Sequence, residues 1–303
     1  MTRVGVIGYS AGNGHPFSFS AIINGYSEKD FLCSGWPIIN SYLKKREAEE
    51  FGFPGIQVTH AWTQNKDMTK RLAYACKIPN PVEKFEDMIG EIDAVIIARD
   101  DWKSHHKLAK PFLEVGIPVF IDKPLSLDQT ELKYFSQYLE TGKLMSCSGF
   151  RFAKELNDVT GLGAVKCIHG TVVLDWEKYG VHILDAALAT VKSRPVAITR
   201  NIANHQSFSI SMDDGSSLLI DAIGNAVKTF HIGFFGEKRH IGIDMYDNFS
   251  AFKKTLKAFF EMCETGHPKV DPEDTILIMK TLLAGSLATP GAGYVSINDL
   301  QHN

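Results

Sequence analysis

The sequence predicts an α/β protein in which a doubly wound parallel sheet is followed by an α+β domain with a mostly antiparallel, open sheet. Up to residue 125, strand and helix signals alternate along the chain. The run Asp93–Ala98 is continuously apolar, which is typical of a strand covered on both faces. The segment Gln206–Met212 instead alternates apolar and polar residues, which is typical of a strand with one covered face.

The amino-terminal rhythm predicts parallel strands joined by crossover helices. A helix is expected over Ser104–Glu114, because apolar residues recur there at helical spacing and Gly116 follows to end it. The stretch from Gly25 to Gly55 interrupts the rhythm as an insertion, and its KKREAEE run predicts a helix over Ile38–Glu50. The strands are expected at Arg3–Gly8, Gln57–Thr63, Asp93–Ala98 and Pro118–Ile121.

After residue 145 the pattern changes to closely spaced strands, so we expect one domain at 1–125 and a second at 126–303. Asp213–Gly215 reads DDG, a hairpin signal. Two helices close the chain, one with an apolar face that begins at Phe249 and one that starts near Pro272. The strands are expected at Val165–Leu174, Val196–Ala203, Gln206–Met212, Ser217–Ile223, Val227–Phe235 and Arg239–Asp244.

Composition excludes several classes of function. The 303 residues carry a net charge of −3, which does not favour a nucleic-acid or anionic-membrane partner. No apolar run approaches the roughly 18 residues of a membrane span, and the amino terminus does not read as a signal peptide. The 5 cysteines are scattered, so we expect free thiols and a cytoplasmic location. Without a HExxH motif or a Cys/His cluster, we expect no metal site.

A glycine-containing loop follows the first strand. Gly8, Gly12 and Gly14 allow a close backbone approach, and the segment after Pro16 is able to form a helix whose amino terminus faces the loop. The dinucleotide fingerprint, however, has a glycine where this chain has Ser10. Taken alone, the stretch fits a nucleotide loop and a purely structural turn equally well.

The segment that follows the third strand resembles the Gfo/Idh/MocA oxidoreductase family, the group of glucose–fructose oxidoreductase and inositol dehydrogenase. His105, Gly116 and the triplet Asp122-Lys123-Pro124 match the family's spacing, although the family usually has Glu in place of the aspartate. Further along the chain, matches follow in the family's order. They are Arg151 in SGFRFAKEL, the LGAVK segment at Leu162–Lys166, and Gly180, His182 and Asp185 in EKYGVHILDAAL.

The resemblance covers nearly the whole chain outside the insertion and implies a Rossmann-type domain that binds NAD(P). It favours the nucleotide interpretation of the glycine loop. The residues implied to bind the cofactor are Gly8, Ser10, Asn13, Gly14, His15, Thr63, Lys66, Asp100, Trp102, His105 and Lys123.

The resemblance also implies an enzyme that oxidises a carbinol or reduces a carbonyl of a sugar, a cyclitol or a nucleotide sugar. Lys123 and His182 take the catalytic places: the lysine polarises the substrate oxygen and lowers the pKa of the histidine, which moves the proton. Asp185 stands one helical turn after His182 and is expected to fix the imidazole tautomer.

Substrate contacts are implied at Arg151, Glu177 and Lys178. Lys178 stands where the family has an aspartate, and three outcomes follow from that exchange. Glu177 replaces the carboxylate after a small backbone shift, or Lys178 binds an anionic group of the substrate, or the redox step is weakened or lost. The third outcome describes a nucleotide-binding sensor or scaffold instead of an enzyme.

Cofactor choice is set at the end of the second strand, where NAD enzymes place a carboxylate. This chain has Thr63 there and Lys66 shortly after, which leans towards NADP. In the loop after the third strand, either Trp102 stacks on a ring or caps the pocket while Asp100 and Asp101 bind sugar hydroxyls, or these residues form an ordinary solvated loop. A half-covered carboxy-terminal sheet predicts a homodimer or homotetramer.

Overall fold

The computed structural model describes residues 1–301, which form two sheets with helices packed around them. The strands are β1 (Thr2–Gly8), β2 (Ile56–Thr63), β3 (Asn80–Pro81), β4 (Ala94–Ile97), β5 (Val119–Ile121), β6 (Leu144–Met145), β7 (Val165–Val172), β8 (Pro195–Arg200), β9 (Gln206–Met212), β10 (Ser217–Ala222), β11 (Phe230–Gly236), β12 (His240–Asp244) and β13 (Val295–Ser296). The α-helices are α1 (His15–Asn24), α2 (Glu28–Leu32), α3 (Pro37–Leu43), α4 (Lys66–Ala75), α5 (His105–Glu114), α6 (Gln129–Glu140), α7 (Val181–Leu188), α8 (Asn248–Thr265) and α9 (Pro272–Leu287).

Sheet A has six strands in the order β3-β2-β1-β4-β5-β6, and all its pairs are parallel. This is the strand order of a Rossmann fold, so the predicted fold class is confirmed. Every residue of β4 is buried, as its uninterrupted apolar run predicts. The carboxyl ends of β1 and β4, the two central strands, lie side by side at the edge where ligands bind in folds of this order.

The insertion forms α2 and α3, and the predicted helix over Ile38–Glu50 is confirmed only as far as Leu43. α3 ends at Leu43, and residues 48–50 form only a 3₁₀ turn. This turn begins separately from α3 because Glu47 and Glu50 form a capping box, in which the Glu50 carboxylate accepts the Glu47 N–H at 3.0 Å. The turn and the end of α1 border a cavity of about 460 Å³.

Sheet B has seven strands in the order β12-β11-β7-β10-β9-β8-β13. Its pairs are antiparallel except for β10 with β7, which the sequence pattern did not distinguish. The DDG turn joins β9 to β10 as a hairpin, as predicted. Phe208, Ile210 and Met212 of β9 all point to the buried face, which confirms the alternation in their segment.

The chain separates into two compact units that are not continuous in sequence. The first unit contains residues 1–125, 133–146 and 252–270, and the second contains 126–132, 147–251 and the residues from 271 onward. Two later segments join the first unit, which the simple division at residue 125 did not anticipate. β6 adds a sixth strand to sheet A, and Phe252 packs against Phe19 with ring centroids 5.2 Å apart.

Hydropathy places no membrane-crossing helix in the described part of the chain: none of its helices is both long and apolar enough to span a bilayer.

Candidate active site

The loop between β1 and α1 requires glycine at two positions. A Cβ at Gly8 would lie 2.7 Å from Cγ of Pro16, and a Cβ at Gly14 would lie 2.5 Å from Cδ1 of Ile39. Gly12 has a φ of +80° and faces open space. Gly14 is the N-cap residue of α1 and contributes no side-chain cap, so the loop meets the positive end of a helix dipole.

Asp122, the residue that follows β5, holds this loop through side-chain contacts. One carboxylate oxygen accepts the Asn13 amide at 3.0 Å and lies 2.5 Å from Nδ1 of His15, while the other accepts the Lys123 N–H at 2.9 Å. Burial would raise the pKa of Asp122, but His15, Lys123 and Asn13 outweigh it and hold that pKa far below its usual range. Asp122 is therefore an ionised, buried hub that fixes the loop.

A second polar network joins the loops that follow β1, β2 and β4. The Ser10 hydroxyl donates to the Asp100 carboxylate and accepts the Asp100 N–H at 3.1 Å. The Gln64 side chain accepts the Tyr9 N–H at 3.1 Å and donates to the Tyr9 carbonyl at 2.6 Å. Arg99 reaches Gln64 at 2.9 Å. Three loops at the ligand edge of sheet A are thus held together by hydrogen bonds between their side chains and backbones.

The residues considered for cofactor choice have protein partners. The Thr63 hydroxyl is buried and donates to the Asn65 carbonyl at 2.7 Å. Nζ of Lys66 pairs with Glu83 at 2.7 Å, and both side chains are more than 70% exposed. A pair of that kind is weak in water, so it leaves Lys66 able to exchange partners.

His105 lies beneath the loops and not on their surface. Its side chain is fully buried, and its two ring nitrogens face carbonyl oxygens, Nδ1 that of Leu125 at 2.9 Å and Nε2 that of Arg99 at 3.0 Å. Burial lowers the pKa of His105. The imidazole therefore ties the loop after β4 to the loop after β5.

Lys123 and Trp102 stand at the same edge of sheet A. Lys123 lies two residues after the end of β5, and only 4% of it is exposed. Trp102 begins a 3₁₀ turn after β4 and is half-buried, with Nζ of Lys103 at 5.5 Å from its ring centroid. Lys123 is thus a buried lysine at the edge of the sheet where ligands bind in folds of this strand order.

His182, in the second unit, lies in the first turn of α7 and is 9% exposed. Its Nδ1 lies 2.7 Å from the hydroxyl of Ser148. Phe150, Tyr179 and Phe230 surround the imidazole edge-to-face, with ring centroids 5.1 to 5.5 Å away. The contact with Ser148 and these aromatic rings therefore restrict the orientation of this histidine.

Asp185 lies one turn further along α7 in a buried ionic chain. Its carboxylate accepts the Ser148 N–H at 2.5 Å and binds Arg151 at 2.9 Å. Arg151 also binds Asp274 at 2.5 Å, and Asp274 binds Arg194. Burial raises the pKa of Asp185 against the opposing effect of Arg151. Burial would lower the pKa of Arg151, but its two carboxylate partners raise it.

The segment that precedes α7 is one turn of π-helix, Trp176–Gly180. Single π turns are frequently found at functional sites. Asp175 caps the turn by accepting the Lys178 N–H at 3.0 Å. Glu177 is exposed and Lys178 is half-buried, and the turn that contains them leads directly into α7.

The structure therefore gathers the predicted residues into two groups, one in each unit. Around the first loop it adds Asp122, Gln64 and Arg99, which sequence reasoning did not assign. Around His182 it adds Ser148. Only Asp122 had a visible signal, because it opens the Asp-Lys-Pro triplet. Within residues 1–301, no three His, Cys, Asp or Glu side chains are arranged to hold a metal ion.

Comparison with known proteins agrees with this geometry. Residues 2–150 match the model of the Gfo/Idh/MocA family, described as an oxidoreductase family with an NAD-binding Rossmann fold. Myo-inositol 2-dehydrogenase from Lactobacillus plantarum superposes with a TM-score of 0.78 at 14% identity, covering 97% of this chain and 99% of that one. No curated protein matches the sequence.

Two further solved structures share the fold. Scyllo-inositol dehydrogenase from Lactobacillus casei, with bound NAD(H) and scyllo-inositol, has a TM-score of 0.74 at 15% identity and covers 98% of this chain and 99% of that one. UDP-N-acetylglucosamine 3-dehydrogenase GnnA from Acidithiobacillus ferrooxidans has a TM-score of 0.73 at 15% identity, covering 95% and 97%. At these identities the likeness concerns the fold.

Proposed function

Because residues 2–150 belong to the Gfo/Idh/MocA oxidoreductase family, we propose that this protein transfers a hydride between a nicotinamide cofactor and a carbinol or carbonyl carbon of a sugar, a cyclitol or a nucleotide sugar. The observation that carries the proposal is the His182 cluster, a buried imidazole held at Nδ1 and enclosed by aromatic rings. Beyond the cofactor, the reaction needs a positioned group that moves one proton. The inositol and nucleotide-sugar dehydrogenases with this fold support the substrate class.

We assign the cofactor to the ligand edge of sheet A. Gly8, Gly12 and Gly14 give the backbone room that a pyrophosphate needs, and the amino terminus of α1 supplies a positive dipole. Asn13 and His15, fixed by Asp122, line the same loop. Ser10 and Asp100 are linked to each other beside it. When bound, the nicotinamide accepts or supplies the hydride.

The chain's own residues carry the proton. In the oxidative direction the substrate hydroxyl loses its proton to His182 as the carbon loses its hydride, and in the reductive direction the same proton returns. Lys123 polarises the substrate oxygen as a buried ammonium. Asp185 supports His182 from one helical turn away.

Lys178 favours a substrate with an anionic group. A half-buried ammonium in the turn that leads to His182 suits a carboxylate or a phosphate, as in a sugar acid or a nucleotide sugar. Glu177, the neighbouring carboxylate, represents the alternative, in which it binds the hydroxyls of a neutral sugar. Arg151 supports this region through its two carboxylate partners. The two alternatives are distinguished by comparing turnover of UDP-sugars and sugar acids with turnover of neutral inositols in the wild type and in Lys178→Glu. If Lys178 binds an anionic group, this variant lowers turnover of the anionic substrates only.

We also propose a preference for NADP over NAD. The turn after β2 carries Thr63, Gln64 and Lys66 and has no carboxylate to repel a 2′-phosphate. Lys66 is held only by an exposed pair with Glu83 and is able to turn to the phosphate. Isothermal titration with both reduced cofactors tests the preference, and tighter binding of NADH would remove it.

We propose that the protein works as a homo-oligomer in the cytoplasm. The face of sheet B opposite its buried side carries Leu219 and the half-exposed Phe235 among polar residues, which suits a second copy of the chain. The cysteines are all free thiols, which suits a reducing compartment. Light scattering of the purified protein tests the assembly, and a monomer would exclude it.

Turnover with a panel of inositols, hexoses and nucleotide sugars tests the proposed activity. We expect reduced nicotinamide to form with at least one of them, and we expect His182→Gln to abolish this without weakening cofactor binding. His267→Gln, an exposed histidine of the first unit, serves as the matched control. Tight cofactor binding with no turnover on any substrate would instead favour the nucleotide-binding sensor or scaffold, which the exchange at Lys178 already suggests.

A further inference from the structure

We propose that Lys228 is a specificity-determining residue that binds an anionic oxygen group of the substrate, so that the protein acts on an anionic sugar and not on a neutral cyclitol. The inference rests on the proposed function, because it takes His182 as the residue beside which the sugar reacts. Three observations carry it: the course of the chain around Lys228, the face of sheet B on which its ammonium lies, and the charges around that ammonium.

The link between β10 and β11, residues 223–229, crosses the end of β7. β10 and β11 are not neighbours, because β7 pairs with both of them. Val172, the last residue of β7, lies opposite Ala222 on one side and Phe230 on the other. The chain that leaves β7 passes through the π turn into α7. The link therefore lies at the edge of sheet B from which the chain enters α7.

Backbone hydrogen bonds hold the start of this link. Leu174, two residues beyond β7, donates its N–H to the Gly224 carbonyl at 2.8 Å and accepts the Gly224 N–H at 3.0 Å. Leu174 has a φ of +60°, which is uncommon for a residue with a bulky side chain. Conformations of this kind persist where the surrounding structure fixes them, and they cluster at ligand sites. The link that carries Lys228 is therefore anchored to the segment that leads to α7.

The Lys228 ammonium lies on the covered face of sheet B, opposite the face proposed for assembly. Its Nζ is 5.8 Å from the centroid of the Phe230 ring, within the range of a cation–π contact. Phe230 alternates with the fully buried Ile232 and Phe234, so these three side chains share the covered face. The Phe230 ring also packs edge-to-face on His182, with centroids 5.4 Å apart. Lys228 and His182 thus share one aromatic neighbour.

Lys228 is exposed, and within residues 1–301 no carboxylate forms an ion pair with it. The acidic side chains of the nearby π turn, Asp175 and Glu177, do not reach it either. Other lysines of the same unit are neutralised: Lys154 pairs with Asp247 at 2.5 Å, and Lys166 with Glu237 at 2.8 Å. The charge of Lys228 is therefore left for a ligand.

One substrate molecule is able to reach both residues, because Phe230 contacts both of them. Its carbinol carbon lies beside His182 and its anionic group at Lys228. Phosphate and carboxylate oxygens form charge-assisted hydrogen bonds with an ammonium, which are roughly twice as strong as neutral ones. A neutral inositol or hexose offers Lys228 only hydroxyl groups. Lys228 therefore favours the anionic member of any pair of sugars that otherwise match.

Titration calorimetry with matched pairs of compounds tests this preference on the protein with and without saturating cofactor. The pairs are glucose 6-phosphate with glucose, UDP-N-acetylglucosamine with N-acetylglucosamine, and glucuronate with glucose. We expect the wild type to bind the anionic member of at least one pair more tightly, and Lys228→Gln to reduce that advantage by about 10-fold. The pair that responds identifies the group as a sugar phosphate, the diphosphate of a nucleotide sugar, or a carboxylate.

Two variants control for charge and for position. Lys228→Arg keeps the positive charge and is expected to retain the preference. Lys238→Gln removes another exposed ammonium, in the turn beyond the other end of β11, and is expected to leave every affinity unchanged. A wild type without any preference for an anionic member, or a preference that survives in Lys228→Gln, would overturn the proposal. If the preference depends on Lys228 but no compound is turned over, the proposed hydride transfer fails and the role of Lys228 stands.

Discussion

Removal of the Arg151 guanidinium is expected to destabilise the second unit strongly. The side chain is 12% exposed and lies between Asp185 and Asp274, which are 2% and 4% exposed. Arg151→Met keeps the bulk and deletes the charge, so it leaves two buried carboxylates facing the vacated position. Breaking a buried ion pair from one side costs about 3–5 kcal/mol, because the remaining charge is left without compensation.

The cost is expected to depend on pH in a defined direction. The pKa of Asp185 is already raised in the folded protein, and the loss of Arg151 removes the interaction that opposes this rise. A carboxyl group whose folded pKa is raised binds more protons in the folded state than in the unfolded state, so its contribution to stability falls as pH rises through that pKa. Arg151→Met is therefore expected to cost more at pH ~8 than at pH ~5.

Thermal unfolding by circular dichroism measures both effects. The expected loss corresponds to a fall in Tm of roughly 6–20 °C at neutral pH, and the fall is smaller in acid. Arg3→Met is the matched control, because Arg3 forms the same kind of pair with Asp93 where both side chains are about 40% exposed, and its Tm is expected to change little. A fall in Tm for Arg151→Met that is small, or that grows in acid, would refute the reasoning.

Three further outcomes are expected. Asp122→Asn releases Asn13 and His15, so it is expected to weaken cofactor binding measured by calorimetry, and an unchanged affinity would contradict this. The folded pKa of Asp122 is lowered, so its ionised carboxylate stabilises the wild type above the ordinary carboxyl pKa, and this stabilisation disappears as the pH falls through the lowered value. Asp122→Asn lacks this stabilisation at every pH. His182→Gln lowers kcat by about 10²–10⁴ in steady-state assays, and a residual rate near that of the wild type would exclude its role. Gly14→Ala places a methyl group 2.5 Å from Cδ1 of Ile39, and this clash is expected to lower both Tm and cofactor affinity. Wild-type values of both would show that the loop rearranges without cost and would contradict the prediction.

Hydrophobic patterning predicted the larger elements of the fold well. β1, β2 and β4 and the β9–β10 hairpin lie close to the expected positions, because each has a long periodic run or a turn signal. The strands with two residues each, β3, β6 and β13, have no periodicity to read. The insertion helix was predicted to extend too far because a charged, helix-forming composition concealed the capping box at Glu47.

The site was less predictable than the fold, because contacts between distant residues decide it. His182 and Lys123 were found through motifs, whereas Ser148 lies 34 positions before its histidine in a segment singled out only for Arg151. Arg151 illustrates the same limit. The family resemblance implied a substrate contact for it, but its two buried carboxylate partners, Asp185 and Asp274, appear only once the helices are packed. Sequence gives the residue type, and tertiary structure gives the partner.

The most direct test of the account follows the absorbance of reduced nicotinamide in a single turnover, with wild type and His182→Gln at equal, calorimetrically measured saturation with cofactor. The account predicts that both proteins bind the cofactor with similar affinity and that only the wild type interconverts its oxidised and reduced forms with a sugar-type substrate. Equal rates in the two proteins, or no binding of either nicotinamide cofactor by the wild type, would contradict it.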